Sequence, residues 1–264
     1  MNRKVLFMFA LLCAVAQGAW GWDGSGTSAD PYLIRTSADW KQLADDVSGG
    51  NSYSGKFFEM AADIDAQGIS VGTSDKPFSG TFSGGMHTLT YNRGASNQPV
   101  NELCAPFILL DGATIRHFKV TGAVYSSHKF AAGIASLVDG TKATTIYDCH
   151  VSSLLWADRA VISDATFGGL VGAVNEDCTQ SLQVKNSSFT GEIAFYATCS
   201  AGLVGYTFKV PVNFDHCIFD PIRTPGVDGC ATFVRTAPGV ECTFKECYYT
   251  QDTPASAYSG SRRH

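Results

Sequence analysis

A six-residue arrangement recurs along the second half of the chain: an apolar residue, two variable residues, a Cys, Ser or apolar residue, one variable residue, and an apolar residue again. It runs through Ile115/Phe118/Val120, Ile146/Cys149/Val151, Val184/Ser187/Phe189, Phe214/Cys217/Phe219 and Phe244/Cys247/Tyr249, with first members 31, 38, 30 and 30 residues apart. A second mark follows the first by 18, 23, 18 and 17 residues: Gly133-Ile134-Ala135-Ser136, Gly169-Leu170-Val171-Gly172, Gly202-Leu203-Val204-Gly205 and the degenerate Ala231-Thr232-Phe233-Val234. Each mark is short, rich in β-branched and aromatic residues, and bounded by turn formers, which predicts a strand with turns around it. A helix would need apolar positions at i, i+3, i+4 and i+7 over ten or more residues, and this region does not supply them. A repeat of about 30 residues carrying short strands cannot bury its apolar face alone, whereas stacked copies bury one another. The expected fold is all-β, a parallel β-solenoid.

In such a stack Phe118, Cys149, Ser187, Cys217 and Cys247 form an inward ladder with rungs about 4.8 Å apart. In-register stacking points neighbouring Cβ vectors the same way, so Cys149, Cys217 and Cys247 are expected as packed thiols. Cys199 and Cys230 fall at turns of adjacent repeats and are the better placed pair for a disulfide. Gly169, Gly172, Gly202 and Gly205 are read as structural marks of the repeat. The N-terminal third differs. Thr36-Ser37-Ala38-Asp39 is a capping-box pattern followed by Trp40, Leu43, Ala44 and Val47 at helical spacing, which predicts a short helix covering the open end of the stack.

Residues 1–18 read as a secretory signal: Arg3 and Lys4, then an apolar run from Val5 to Ala16 with small residues at Ala14 and Ala16. About a dozen apolar residues are too few to span a bilayer. The expected organisation is a signal peptide over 1–18, an N-terminal cap with its helix over 19–55, a β-helix over 56–252 and a polar tail over 253–264. Losing Arg3 and Lys4 with the leader takes the net charge from −5 to −7, and the remaining Lys and Arg are scattered singly. That excludes a basic stripe for nucleic acid, and no second long apolar segment suggests a membrane span. Eight cysteines outlast the leader, an even count that permits disulfides, and no C-x-x-C or H-x-x-x-H pair provides metal spacing.

The joint order of several short motifs resembles a known group. Gly24-Ser25-Gly26-Thr27, then Asp30-Pro31-Tyr32-Leu33-Ile34, Tyr53 to Phe58, Ala62-Asp63-Ile64-Asp65 and Phe78-Ser79-Gly80-Thr81-Phe82 are similar to the opening of bacterial extracellular proteins carrying the GLUG motif. Gly169 to Gly172 and Gly202 to Gly205 resemble the motif itself, with Val in its third place. The resemblance covers about residues 24–250. It implies a right-handed parallel β-helix, secreted or displayed on the surface of a Bacteroidetes-type bacterium, on adhesin-like proteins and beside some immunoglobulin-cleaving peptidases. This chain departs from the larger relatives in having no protease domain or zinc-peptidase motif.

Candidate chemistry lies on the outward rows beside the inward ladder. One row holds His117, Asp148, Asn186, His216 and Glu246, the next Lys119, His150, Ser188, Ile218 and Tyr248. Asp148, Asp215 and Glu246 are the acids that a polysaccharide lyase or glycoside hydrolase would use. Asp148 and Glu246 stand three rungs apart, about 14 Å, beyond the roughly 5–9.5 Å of a catalytic pair. His117, His150 and His216 are read as polar surface or ligand contacts rather than a metal centre. Tyr248 and Trp156 are aromatics that could stack on a sugar, Trp156 and Tyr125 being placed in inter-strand loops. Gly68-Ile69-Ser70-Val71-Gly72 matches G-x-S-x-G by letter, but Pro77 and Gly80 follow where a helix is required. The resulting expectation is a non-enzymatic, adhesin-like binding or structural protein. Its partner would be host glycan or extracellular protein, with no cofactor and no metal; a carbohydrate-cleaving enzyme on the same scaffold is the alternative.

Overall fold

The computed structural model describes residues 21–158, 164–194, 198–223 and 230–250. The leader and the 253–264 tail lie outside them. Eight segments stack in sequence order along one long sheet: Tyr32–Ile34, Phe57–Met60, Thr81–Ser83, Thr114–Thr121, Thr145–Val151, Leu182–Lys185, Val212–Asp215 and Thr243–Lys245. A second sheet stacks Phe107–Leu110, Ala135–Val138, Val171–Val174, Val204–Thr207 and Val234–Thr236, and a third stacks Ala123–Ser126, Leu154–Ala157 and Glu192–Ile193. All these strand pairs are parallel, so successive coils stack strand on strand as a parallel β-helix, the second and third faces being formed by fewer coils than the first.

The repeat marks superpose from coil to coil. Ile115 pairs with Ile146, Phe118 with Cys149 and Val120 with Val151, and the register continues through Val184, Phe214 and Phe244 and through Phe189, Phe219 and Tyr249. Like side chains therefore stack on like. Phe214 lies 5.2 Å from Phe244 with the rings 3° from parallel, and Phe189 lies 6.1 Å from Phe219.

An uninterrupted strand alternates faces, so residues three apart should point opposite ways. Ile115 and Phe118, like their counterparts Ile146 and Cys149 or Val184 and Ser187, are nevertheless all buried. The residue between resolves the conflict. His117, Asp148, Asn186, His216 and Glu246 all adopt left-handed backbone, with φ between 49 and 54°. One such residue interrupts the pleat, so that the next side chain turns inward again. His, Asp and Asn are the non-glycine residues that tolerate this region most readily, and they fill four of the five positions. The inward side chain after the kink donates to the carbonyl two residues before it. Ser187 Oγ reaches Lys185 O at 2.7 Å, Cys149 Sγ reaches Tyr147 O at 3.3 Å, and Cys247 Sγ reaches Lys245 O at 3.4 Å. A small side chain with a hydrogen to give suits this position, and Cys or Ser fills four of its five members, Phe118 being the other.

The glycine marks interlock successive coils. A Cβ on Gly169 would lie 2.3 Å from Gly202 O and 2.5 Å from the Phe189 ring, and one on Gly202 would lie 2.0 Å from Thr232 O and 2.7 Å from the Phe219 ring. Gly172 and Gly205 sit inside the strands Val171–Val174 and Val204–Thr207, not at turns.

Helix α1 (Ser37–Ser48) starts with the capping box expected of Thr36 and Asp39 and buries Trp40, Leu43, Ala44 and Val47. Trp40 packs edge-on against Phe82 and Phe107 at 5.8 and 5.6 Å and donates its indole N–H to Ile69 O at 2.8 Å. The helix thus closes the N-terminal end of the core. The long sheet begins before it, because Tyr32–Ile34 already pairs with Phe57–Met60.

Two expectations need correction. Tyr125 and Trp156 are register partners in the strands Ala123–Ser126 and Leu154–Ala157, with rings 5.6 Å apart, not loop residues. Cys199 is a thiol and forms no bridge to Cys230. Ala201 pairs with Ala231, so Cys230 stands level with Ser200 and Cys199 is one residue out of step.

The kink generates a prediction. Asn186 is exposed at φ 49°, so Asn186→Val, a β-branched residue in left-handed backbone, is expected to cost about 1–2 kcal/mol. Asn186→Gly is expected to cost far less. Thermal or denaturant unfolding of the pair checks this, and a larger loss for Gly than for Val would contradict the role given to the kink.

Candidate functional site

Because each kinked residue precedes an inward one, its own side chain points outward and stands in column with the others. The second outward row runs in register through Lys119, His150, Ser188, Ile218 and Tyr248. The structure joins members of the two rows. Asp148 accepts from His117 Nδ1 at 2.8 Å through one oxygen and from His150 Nε2 at 3.2 Å through the other, and His150 Nδ1 lies 2.9 Å from Ser188 Oγ. Further along, His216 lies between two carboxylates, with Nδ1 2.6 Å from Asp215 and Nε2 2.6 Å from Glu246, and Lys245 stands 3.5 Å from Asp215.

These bonds shift the acids. The hydrogen bond from His117 holds the Asp148 carboxyl below the usual range, against the opposing effect of partial burial, and His150 adds to the lowering. The Asp215 carboxyl is held low first by His216 and then by Lys245.

Two constellations bear on catalysis. In the first, the tautomer of His150 that donates Nε2–H to Asp148 leaves Nδ1 to accept from the Ser188 hydroxyl; that is the order of a nucleophile, base and orienting acid. Acyl transfer also needs backbone amides aimed at a developing oxyanion. The neighbouring amides of Cys149 and Ile218 are spent on Ser187 Oγ and Ser187 O, at 3.1 and 3.0 Å. In the second, one imidazole between Asp215 and Glu246 sets their carboxylates no more than roughly 8 Å apart, inside the span of an inverting glycosidase. The His216 ring fills the interval where water and a glycosidic oxygen would sit. Asp148 belongs to the other group, with the rungs of Asn186 and His216 between it and Glu246.

Tyr248 and Ile218 are exposed side by side at the end of the second row. Trp156 stands beside Tyr125 on the third sheet, away from the His and Asp columns. Among the described residues, no group of three or more His, Cys, Asp or Glu is arranged to hold a metal ion, and no helix is long and apolar enough to cross a membrane.

Hollows also open away from these columns, and two of them carry basic side chains. The larger, about 620 Å³, is lined by Ser70, Arg93, Glu102 and His128. Within it Arg93 pairs with Glu102, and Ser70 Oγ lies 2.7 Å from Tyr91 OH. Burial lowers the His128 imidazole below its usual range. The smaller, about 250 Å³, lies beside the second sheet and is lined by Lys129, Asp164, Tyr206, Phe208, Cys199 and Arg235 among others.

Comparison with known proteins identifies fold alone. No family model matches the chain, and no curated protein matches it. A solved structure described as a putative immunoglobulin A1 protease from Bacteroides ovatus is similar over 91% of this chain and 85% of its own length, with a TM-score of 0.57 and 17% identity. The β-helix is shared at that distance.

Asp148 supplies a pH test. Because its carboxyl is lowered in the folded state, its contribution is present above the unfolded value near 3.9 and disappears as pH falls through the folded value. Asn suits left-handed backbone, so Asp148→Asn removes charge without straining the kink. The melting temperature of wild type should exceed that of Asp148→Asn near neutral pH, and the two should converge in acid. A gap that persists undiminished at pH 2 would rule out the charge as its source.

Proposed function

We propose that this chain is an exported, adhesin-like binding protein, secreted or held at a bacterial cell surface, whose β-helix presents a fixed surface to host glycan or extracellular protein. The observation that carries this reading is the bonding of the outward columns. Asp148 is shared by two imidazoles and His216 by two carboxylates, so these groups hold one another in place along an open face. A reaction centre would have them converge on one point in a closed, water-excluding cleft. The motif order similar to GLUG-motif proteins and the export signal read at residues 1–18 support the same conclusion. A glycan and extracellular-protein array probed with the chain lacking its leader is expected to give binding above background, and a silent array would overturn the proposal.

A hydrolase is the second reading, favoured by the Ser188–His150–Asp148 chain and by the protease description of the similar solved structure. It requires covalent labelling of Ser188 by a fluorophosphonate that Ser188→Ala abolishes, or glycan cleavage lost in Asp215→Asn and Glu246→Gln. Neither result is expected.

A further inference from the structure

The smaller lateral hollow differs from the long face in one respect: among the described residues, its arginine meets no carboxylate. Lys129 is paired with Asp164 at 2.7 Å. Arg235 donates one N–H to Cys199 O at 2.7 Å and lies over the Tyr206 ring, 5.2 Å from its centroid. Among the described residues no carboxylate pairs with it, so the guanidinium is held flat and in place with donors of its fork uncommitted to any described residue. Tyr206 in turn meets Phe208 edge-on at 4.7 Å, and Phe208 is exposed at the rim.

The outer column of the second sheet explains why the hollow forms here. Leu109, Leu137 and Ala173 stand in register along it and are covered by Leu103 and Phe130. Tyr206 pairs with Ala173 as the next member, and beyond it the register shifts as far as the Val234–Thr236 strand, where Arg235 lies. The covering stops where the column turns from aliphatic to aromatic and cationic.

We infer that this hollow binds a sugar unit bearing a carboxylate, a uronic or sialic acid, and so specifies the ligand class of the binding function on which the inference rests. The planar fork of Arg235 matches a carboxylate in bidentate geometry. Phe208 offers an exposed aromatic face for sugar C–H groups. The Lys129–Asp164 pair supplies a donor and an acceptor for ring hydroxyls. A volume of about 250 Å³ suits one such unit rather than a chain.

Calorimetric titration of the protein with glucuronic acid, N-acetylneuraminic acid, glucose and glucose 6-sulfate tests this. At least one carboxylated sugar should bind, with glucose at least about tenfold weaker. Arg235→Gln should reduce the acid to the level of glucose, and Phe208→Ala should weaken it several-fold while melting stays unchanged. If Arg235→Gln does not fold, Arg235→Lys, which keeps the charge but not the fork, should lose about tenfold as well. Equal binding of acid and glucose, a preference for the sulfate, unchanged affinity in the Arg235 variant, or no binding of either acid would overturn the inference. If other ligands bind on the array while both acids fail, this site is wrong and the binding function stands; a silent array removes the binding function itself.

Discussion

One left-handed residue per coil, repeated at His117, Asp148, Asn186, His216 and Glu246, is the constraint from which the rest of this β-helix follows. Such backbone costs roughly 1–2 kcal/mol for a non-glycine residue, so five in a column persist only where the surroundings offset the strain. The offset comes from both sides of the chain. Inward, the kink buries an extra side chain per coil and lets a thiol or hydroxyl satisfy a carbonyl beside it. Along the stack, the amides of Asn186 and His216 bond to Asp215 O and Lys245 O of the next coil at 2.9 and 2.8 Å.

The polar face is a consequence of that column. A residue that must be tolerant of left-handed backbone and must point outward is most easily Asn, Asp or His, and these also carry charge and hydrogen bonds. Stacked at about 4.8 Å they come within reach of one another. The contacts from His117 to Asp148 and from His216 to Glu246 need no ligand to explain them, since neighbouring rungs bring them together. This separates the long face, whose groups satisfy one another, from the lateral hollow, where Arg235 is oriented but meets no carboxylate among the described residues.

Much of the architecture is legible in the sequence, because inward positions are apolar and recur at nearly fixed period. The capping box at Thr36 and Asp39 and the stripe Trp40, Leu43, Ala44 and Val47 place the helix for the same reason: local chemistry and burial agree. The kink was legible too, had the three-residue gap between inward positions been set against strict alternation. Tyr125 and Trp156 read as loop residues because their strand, only four residues long, lies outside both repeat marks. The Arg235 hollow escapes sequence reading since its members come from different coils and one of them crosses a register shift. Counting four residues on from Gly202 and from Ala231 reaches Tyr206 and Arg235, and that offset is the signal they carry. Cys199 and Cys230 are near in repeat position, but a disulfide depends on a one-residue register that spacing does not resolve.

Burial of the interior thiols bears on how readily they would react with an oxidant. Burial raises Cys104 and Cys178 to about 12, and it pushes Cys149 higher still. Thiolate is the species that attacks an oxidant or a disulfide. At neutral pH a thiol with a pKa of about 12 is ionised in only about one molecule in 10⁵. At Cys104, Cys149 and Cys178 sulfur therefore behaves as packing material whose reactivity the fold suppresses, whereas the hydrogen bond with Cys217 lowers the Cys247 thiol. At those three positions folding removes the thiolate that thiol–disulfide exchange requires.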